Sequence, residues 1–173
     1  MNNIFKAWHG GHVRRWHTHP AMVDTCDPDS AHQHRCTIMY LLFWPDCTRD
    51  ALIDCLVHDQ GEHDAADVSY PVKRKHPIIK DITEEIEDES IKIQGFEFKT
   101  TDLDIRRRKF VDLLDSYLWM LRYKPFLRNH KEWKDQKSFL FLEASSLKVA
   151  TKYQGLMEDF EVYYTGFGLN EPT

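Results

Sequence analysis

The chain has 173 residues, a formal net charge of −5 and 42% hydrophobic residues, which suits one globular domain with its own core. The acidic balance argues against general nucleic-acid or membrane-surface binding. No stretch reaches the roughly 18 apolar residues of a membrane span.

The opening "MNNIFKAWHGGHVRRWHTHP" has no apolar h-region, so no secretory signal is expected, and the expected compartment is the cytoplasm. Cys26, Cys36, Cys47 and Cys55 form no CxxC pair and read as reduced, mostly packed thiols. Ten histidines are the unusual count. Where they cluster with Asp and Glu, they point to a metal.

Helical patterns dominate in chain order. "AHQHRCTIMYLLF", residues 31–43, carries apolar residues at 36, 39, 40 and 43. After a Pro-Asp turn a second helix starts near Cys47 and runs to His58. "PIIKDITEEIEDES" sets Ile78, Ile79, Ile82 and Ile86 at helical spacing beside an acidic, solvated face. "SIKIQGFEFK" alternates Ile91 and Ile93 with Phe96 and Phe98 across Gly95, which fits a short hairpin near 90–99 or an irregular loop. "TTDLDIRRRKFVDLLDSYLWMLRY" is a long helix with a stripe through Val111, Leu114, Leu118 and Leu121. "SFLFLEASSLKVATKYQGLMEDFEVYY" reads as a last helix or two. The expected architecture is a single all-α domain over 1–173.

The stretch "HDQGEHDAADVSYPVK", residues 58–73, crowds His58, Asp59, Glu62, His63, Asp64 and Asp67 behind the helix "ALIDCLV". It is either a solvated helix end or a binding site. His32 stands in the first turn of one helix, His58 and Asp59 at the end of the next, and Asp112 within the long helix. Imidazoles and carboxylates converging from helix ends suit a divalent first-row metal with positions left open for water. Each element alone is weak. A lone His at a helix start is usually a cap or a surface residue, and a lone Asp on an apolar helix is usually a paired structural charge.

In this order the set resembles the HD-domain metal phosphohydrolases, close to their 5′-deoxynucleotidase branch. "AHQHRCTI" aligns His32, Arg35 and Cys36 with that branch's E-H-S-x-R-V-A. The pattern H-D-x-x-E-x-x-x-G-D-x-P-x-P-x-K finds His58, Asp59, Glu62, Asp67, Pro71 and Lys73 in step, with Ala66 for the glycine and Ser69 for the first proline. "VDLLDSYL" aligns Asp112, Tyr117 and Leu118 with A-D-x-L-x-A-Y-L, and Arg15-Trp16 matches an Arg-Trp pair ahead of the first His. The match covers about residues 13 to 122. "RRWHTHP" and "AHQHR", in which Gln33 follows His32, are similar to the viral dATP triphosphohydrolases. Those small HD enzymes occur in phages that replace adenine by 2-aminoadenine and hydrolyse dATP to deoxyadenosine and triphosphate.

The resemblance implies a helical HD-type bundle and a divalent metal held by His32, His58, Asp59 and Asp112. The ligands suit cobalt, zinc, manganese, iron or magnesium without choosing among them. Glu62 would orient water or move a proton, with Asp67 as a second acid or base. Arg15, Arg35 and Lys73 would meet phosphates. Trp16 would stack on a purine, with Thr18 beside it and Gln33 reading a polar edge of the base. The implied assembly is a homo-oligomer, a dimer or a hexamer built from dimers, in the host cytoplasm if the chain is viral. His34 competes with His32, and Asp115, nearer the apolar stripe, competes with Asp112. "RRRK", residues 106–109, reads as a solvated first turn or a face for phosphates or a neighbouring subunit. Three functions stay open: a triphosphate-releasing hydrolase, a deoxynucleoside monophosphatase, and a metal-stabilised helical module without activity.

Overall fold

The computed structural model describes residues 3–65, 68 and 70–166. Their architecture is all-α. The helices are α1 (Asn3–Gly10), α2 (Asp29–Phe43), α3 (Arg49–Val57), the single turn α4 (Glu62–Ala65), α5 (Tyr70–Lys75), α6 (Pro77–Ile93), α7 (Asp102–Tyr123), α8 (Lys131–Ser146) and α9 (Ala150–Gly166). A 3-10 turn, Pro125–Asn129, precedes α8. None of them is long and apolar enough to cross a membrane among the described residues. Contacts divide the chain into two compact units, Met1–Arg108 and Lys109–Thr173, with α7 running through the boundary. Each is described by itself.

In the first unit α2 packs on α3, and α4, α5 and α6 pack together. Thr48 N-caps α3 by accepting from the Ala51 N–H at 3.1 Å. Cys36, Tyr40, Phe43, Trp44, Ala51, Cys55 and Val57 form the core between α2 and α3. Tyr40 is fully buried and donates to Asp104 at 3.2 Å, and burial pushes its hydroxyl well above the usual tyrosine range. Thr101 and Asp104 start α7 with a reciprocal cap: the Thr101 N–H donates to the Asp104 carboxylate at 3.0 Å, and the Asp104 N–H to the Thr101 hydroxyl at 3.2 Å.

The helix α6 is inverted relative to expectation. Ile78, Ile79, Ile82, Ile86 and Ile93 share one face, as their spacing dictates, but that face is exposed. The buried residues are Thr83, Ser90 and Ile91, with Gln94 just past the end. Hydrogen bonds explain the choice. Ser90 donates to Asp64 at 2.6 Å, Gln94 to the Gln60 carbonyl at 3.3 Å, and Lys73 to Glu87 at 3.0 Å. α6 therefore turns its polar side to Gln60, Asp64 and Lys73.

No strand occurs among the described residues, and the hairpin expected near 90–99 is not formed. Ile91 and Ile93 belong to the last turn of α6. Gly95 sits at φ +89°, with its N–H on the Lys92 carbonyl at 2.9 Å and the Phe96 N–H on the Ile91 carbonyl at 3.3 Å. This is a left-handed helix stop, for which glycine is the favoured residue.

In the second unit Val111, Leu114, Tyr117 and Met120 of α7 are buried, as are Leu127, Trp133, Leu140, Ala144, Tyr153 and Met157. Gln136 donates to the Leu113 carbonyl at 2.7 Å. The last apolar stretch forms two helices. Lys148 takes φ +60°, and the Val149 N–H reaches the Ala144 carbonyl at 2.8 Å, so α8 ends in a left-handed cap built on lysine.

Candidate metal centre

Two helix termini build the centre. An antiparallel bridge between Arg14 and Pro28 brings the chain to the start of α2, with the Arg15 N–H on the Asp27 carbonyl at 3.0 Å and the Asp29 N–H on the Val13 carbonyl at 2.9 Å. His32, in the first turn, is fully buried, whereas His34 is exposed. Of the two competing histidines it is His32 that faces His58. His58 is the C-cap residue of α3, and its Nδ1–H donates to the Cys55 carbonyl at 2.8 Å. That bond leaves the His58 Nε2 lone pair directed into the centre, the arrangement a ligating histidine needs.

His32 Nε2 lies 3.3 Å from His58 Nε2, His32 Nε2 lies 3.4 Å from Asp59 Oδ2, and His58 Nε2 lies 3.4 Å from Asp59 Oδ1. Metal bonds of about 2.1 Å place neighbouring ligand atoms about 3.0 Å apart in an octahedron and about 3.4 Å apart in a tetrahedron. The three groups could thus hold one divalent ion with little movement. Nitrogen and oxygen donors together suit zinc, manganese, iron or cobalt.

The surrounding residues hold this turn in place. Gln33 is buried. With its amide oriented to satisfy both ends, it donates to the Leu56 carbonyl at 3.1 Å and accepts from the Asp59 and Gln60 N–H groups at 3.2 and 3.1 Å. Expected to read a base edge, Gln33 instead spends these bonds on the end of α3. Asp54, one helical turn before His58, is buried with Oδ2 2.9 Å from Arg108 Nε. Burial pushes its carboxyl up, against the pull of Arg108 and His58. Gly61 closes the turn against α6: a Cβ there would lie 2.5 Å from the Glu87 carbonyl oxygen and 2.7 Å from its carbon. Gly61→Ala is expected to cost about 1–3 kcal/mol through overpacking and to weaken metal binding by displacing the turn. Urea unfolding together with metal titration checks both, and an unchanged midpoint would refute the close approach.

The other expected residues have definite places. Glu62 opens α4 and is half-buried, with its N–H on the Asp59 carbonyl at 3.0 Å. α3 does not continue to it, so Glu62 reaches its position through a turn and not along a shared helix face. Asp67 lies outside the described residues. Lys73 pairs with Glu87, whose carboxyl is pushed up by burial against the pull of that lysine, with the Asp59 charge acting in the same direction as burial. Arg35 donates to both oxygens of Asp27 at 2.8 and 3.0 Å. The Arg15 guanidinium donates to His32 Nδ1 and lies 3.8 Å from Asp27 Oδ2. Trp16 adopts φ +68°, a left-handed backbone rare for a bulky residue. The Arg15 guanidinium sits 5.3 Å over its ring, with the edge of His19 at 5.8 Å. Thr18 is exposed beside it. Asp112 and Asp115 belong to the second unit, on α7. Asp115 is buried and Asp112 half-buried, the order that the apolar stripe implied.

Asp27, Asp54 and Gly61 were not singled out from the sequence. For Asp54 a signal existed, since it lies one turn before His58 within the apolar run Ala51–Val57. For Asp27 and Gly61 none did, because their roles depend on what packs against them. A comparison with protein-family models finds no match, and comparisons with curated proteins and with solved structures find none either.

Proposed function

We propose that the chain is a metal-dependent phosphohydrolase of deoxynucleotides. The observation that carries this reading is the His32, His58 and Asp59 triangle, with edges of 3.3 to 3.4 Å. When bound, a divalent ion supplies Lewis-acid polarisation of a phosphoryl oxygen. His32, His58 and Asp59 hold it, and Gln33 fixes the turn that carries two of them. Glu62 orients the attacking water or returns a proton to the departing oxygen. The resemblance carried by "RRWHTHP" and "AHQHR" narrows the substrate to dATP, with deoxyadenosine and triphosphate as products, and places Trp16 against the purine.

A second reading, a 5′-deoxynucleotidase acting on monophosphates, is favoured by how the cations are used. A triphosphate needs several positive groups beyond the metal. Arg35 pairs with Asp27, Lys73 pairs with Glu87, and Arg15 lies on His32 and near Asp27. Product analysis on dATP, 2-amino-dATP, dGTP and dAMP with added divalent ions separates the two. The expected result is triphosphate release from dATP well above the 2-amino analogue and dGTP. Equal rates on dATP and 2-amino-dATP would remove the base-replacement reading, and turnover of dAMP alone would move the chain to the monophosphatase. No turnover of any of these would refute the proposal.

A further inference from the structure

We propose that His9, His12 and His63 form a second divalent-cation site, made of imidazoles alone, that clamps α1 to α4. It shares no residue with the centre at His32, His58 and Asp59 and stands or falls independently of it. His9 lies in the last turn of α1 and His63 in α4, two helices that pack on each other. Their ring centres are 4.7 Å apart. With metal–nitrogen bonds of about 2.1 Å, two imidazoles on one ion have ring centres roughly 4.5–5.2 Å apart. The pair thus already stands at a chelating distance. The end of α1 also sits close against the turn that leads into α4: a Cβ on Gly10 would lie 3.2 Å from the Gln60 carbonyl oxygen.

His12 supplies the third ring. Its N–H donates to the His9 carbonyl at 3.1 Å, a turn that sets the two side chains at i and i+3 on one face. Their ring centres are 6.4 Å apart, so the His12 ring must swing in by about 1–2 Å to share the ion. All three residues are exposed, and exposed side chains change rotamer readily. In swinging, His12 draws away from Trp8, whose ring centre lies 4.6 Å from its own. Three imidazoles without a carboxylate favour zinc, copper(II) or nickel(II) over manganese or magnesium, which prefer oxygen donors. Water completes the coordination. At so exposed a site the ion exchanges with solution, so the site fills in added zinc and empties on desalting.

Calorimetric titration of the full chain with zinc is expected to find two ions on the wild type and one on Asp59→Ala. Adding His9→Ala or His63→Ala to Asp59→Ala is expected to abolish that remaining binding, and manganese in place of zinc is expected to show none of it. The clamp is read by amide hydrogen exchange. Zinc at ten times its Kd is expected to slow exchange in α1 of Asp59→Ala about 10-fold, and to leave it unchanged once His63→Ala is added. An Asp59→Ala protein that takes up no zinc, or whose zinc survives His63→Ala, would overturn the site. Bound zinc that leaves α1 exchange unchanged would overturn the clamp. A wild type whose one zinc is lost with Asp59 would leave the first centre standing without this site. A wild type whose one zinc is lost with His63 would leave this site and remove the first centre.

Discussion

Replacing Asp59 by alanine is expected to yield a folded helical protein that holds no metal and turns over no nucleotide. Asp59 contributes one corner of a triangle whose other corners are imidazoles. Without it the remaining pair carries no negative charge to offset a dication. Its side chain is 19% exposed, so its removal leaves no large cavity. His58→Ala should behave alike in metal content but lose slightly more stability. Its Nδ1–H bond to the Cys55 carbonyl caps the end of α3, and such a bond contributes about 1 kcal/mol. Far-UV dichroism, elemental analysis and a turnover assay on the same preparations check the three parts. Full metal occupancy in both variants would sink the site.

The second large effect belongs to Glu62. Glu62→Ala is expected to retain metal and nucleotide binding and to lose roughly 10²–10⁴-fold in kcat if the carboxylate performs proton transfer. The argument is positional. Glu62 follows the HD turn directly, its N–H rests on the Asp59 carbonyl, and Gly61 pins the turn to α6. The Glu62 backbone is thus tied to the turn that carries His58 and Asp59. If the variant matches the wild-type rate at unchanged metal content, Glu62 is a helix-end charge and nothing more. Glu62→Gln separates shape from charge, because a residue that only fills space would tolerate it.

Much of this was legible along the chain. Long helices announce themselves by period, and α2, α3, α6 and α7 fall where the spacing puts them. His58 and Asp59 were readable because a helix predicted to bury itself ends in ionisable groups. What escaped was tertiary. The alternation around Ile91 and Ile93 has the strand period but lies at a helix end, and Gly95, read as a hairpin centre, is a helix stop. The helix end at His58 was read correctly, but the turn that carries the chain on to Glu62 was not, since it depends on Gly61 packing against Glu87. Gln33 was read only against a base, and the hydrogen bonds its amide makes to Leu56, Asp59 and Gln60 come from residues distant in sequence. Arg15, Arg35 and Lys73 read as cations for a ligand, because their partners Asp27 and Glu87 lie distant in sequence or at no helical spacing from them.

The inverted α6 changes how variation in this protein is to be read. In a library scanned by substitution, a reader guided by hydropathy would guard the isoleucines at 78, 82 and 86 and vary the small polar positions freely. The tolerance map should run the other way. Ile78, 73% exposed, and Ile82, 52% exposed, can accept lysine or glutamate with little loss of fold and a gain in solubility. Leucine at Ser90 would remove the hydroxyl that holds Asp64 and crowd the surface on which the HD turn rests. Drift among variants of this chain should therefore be fastest at its most apolar helical stripe and slowest at serines and glutamines that look dispensable.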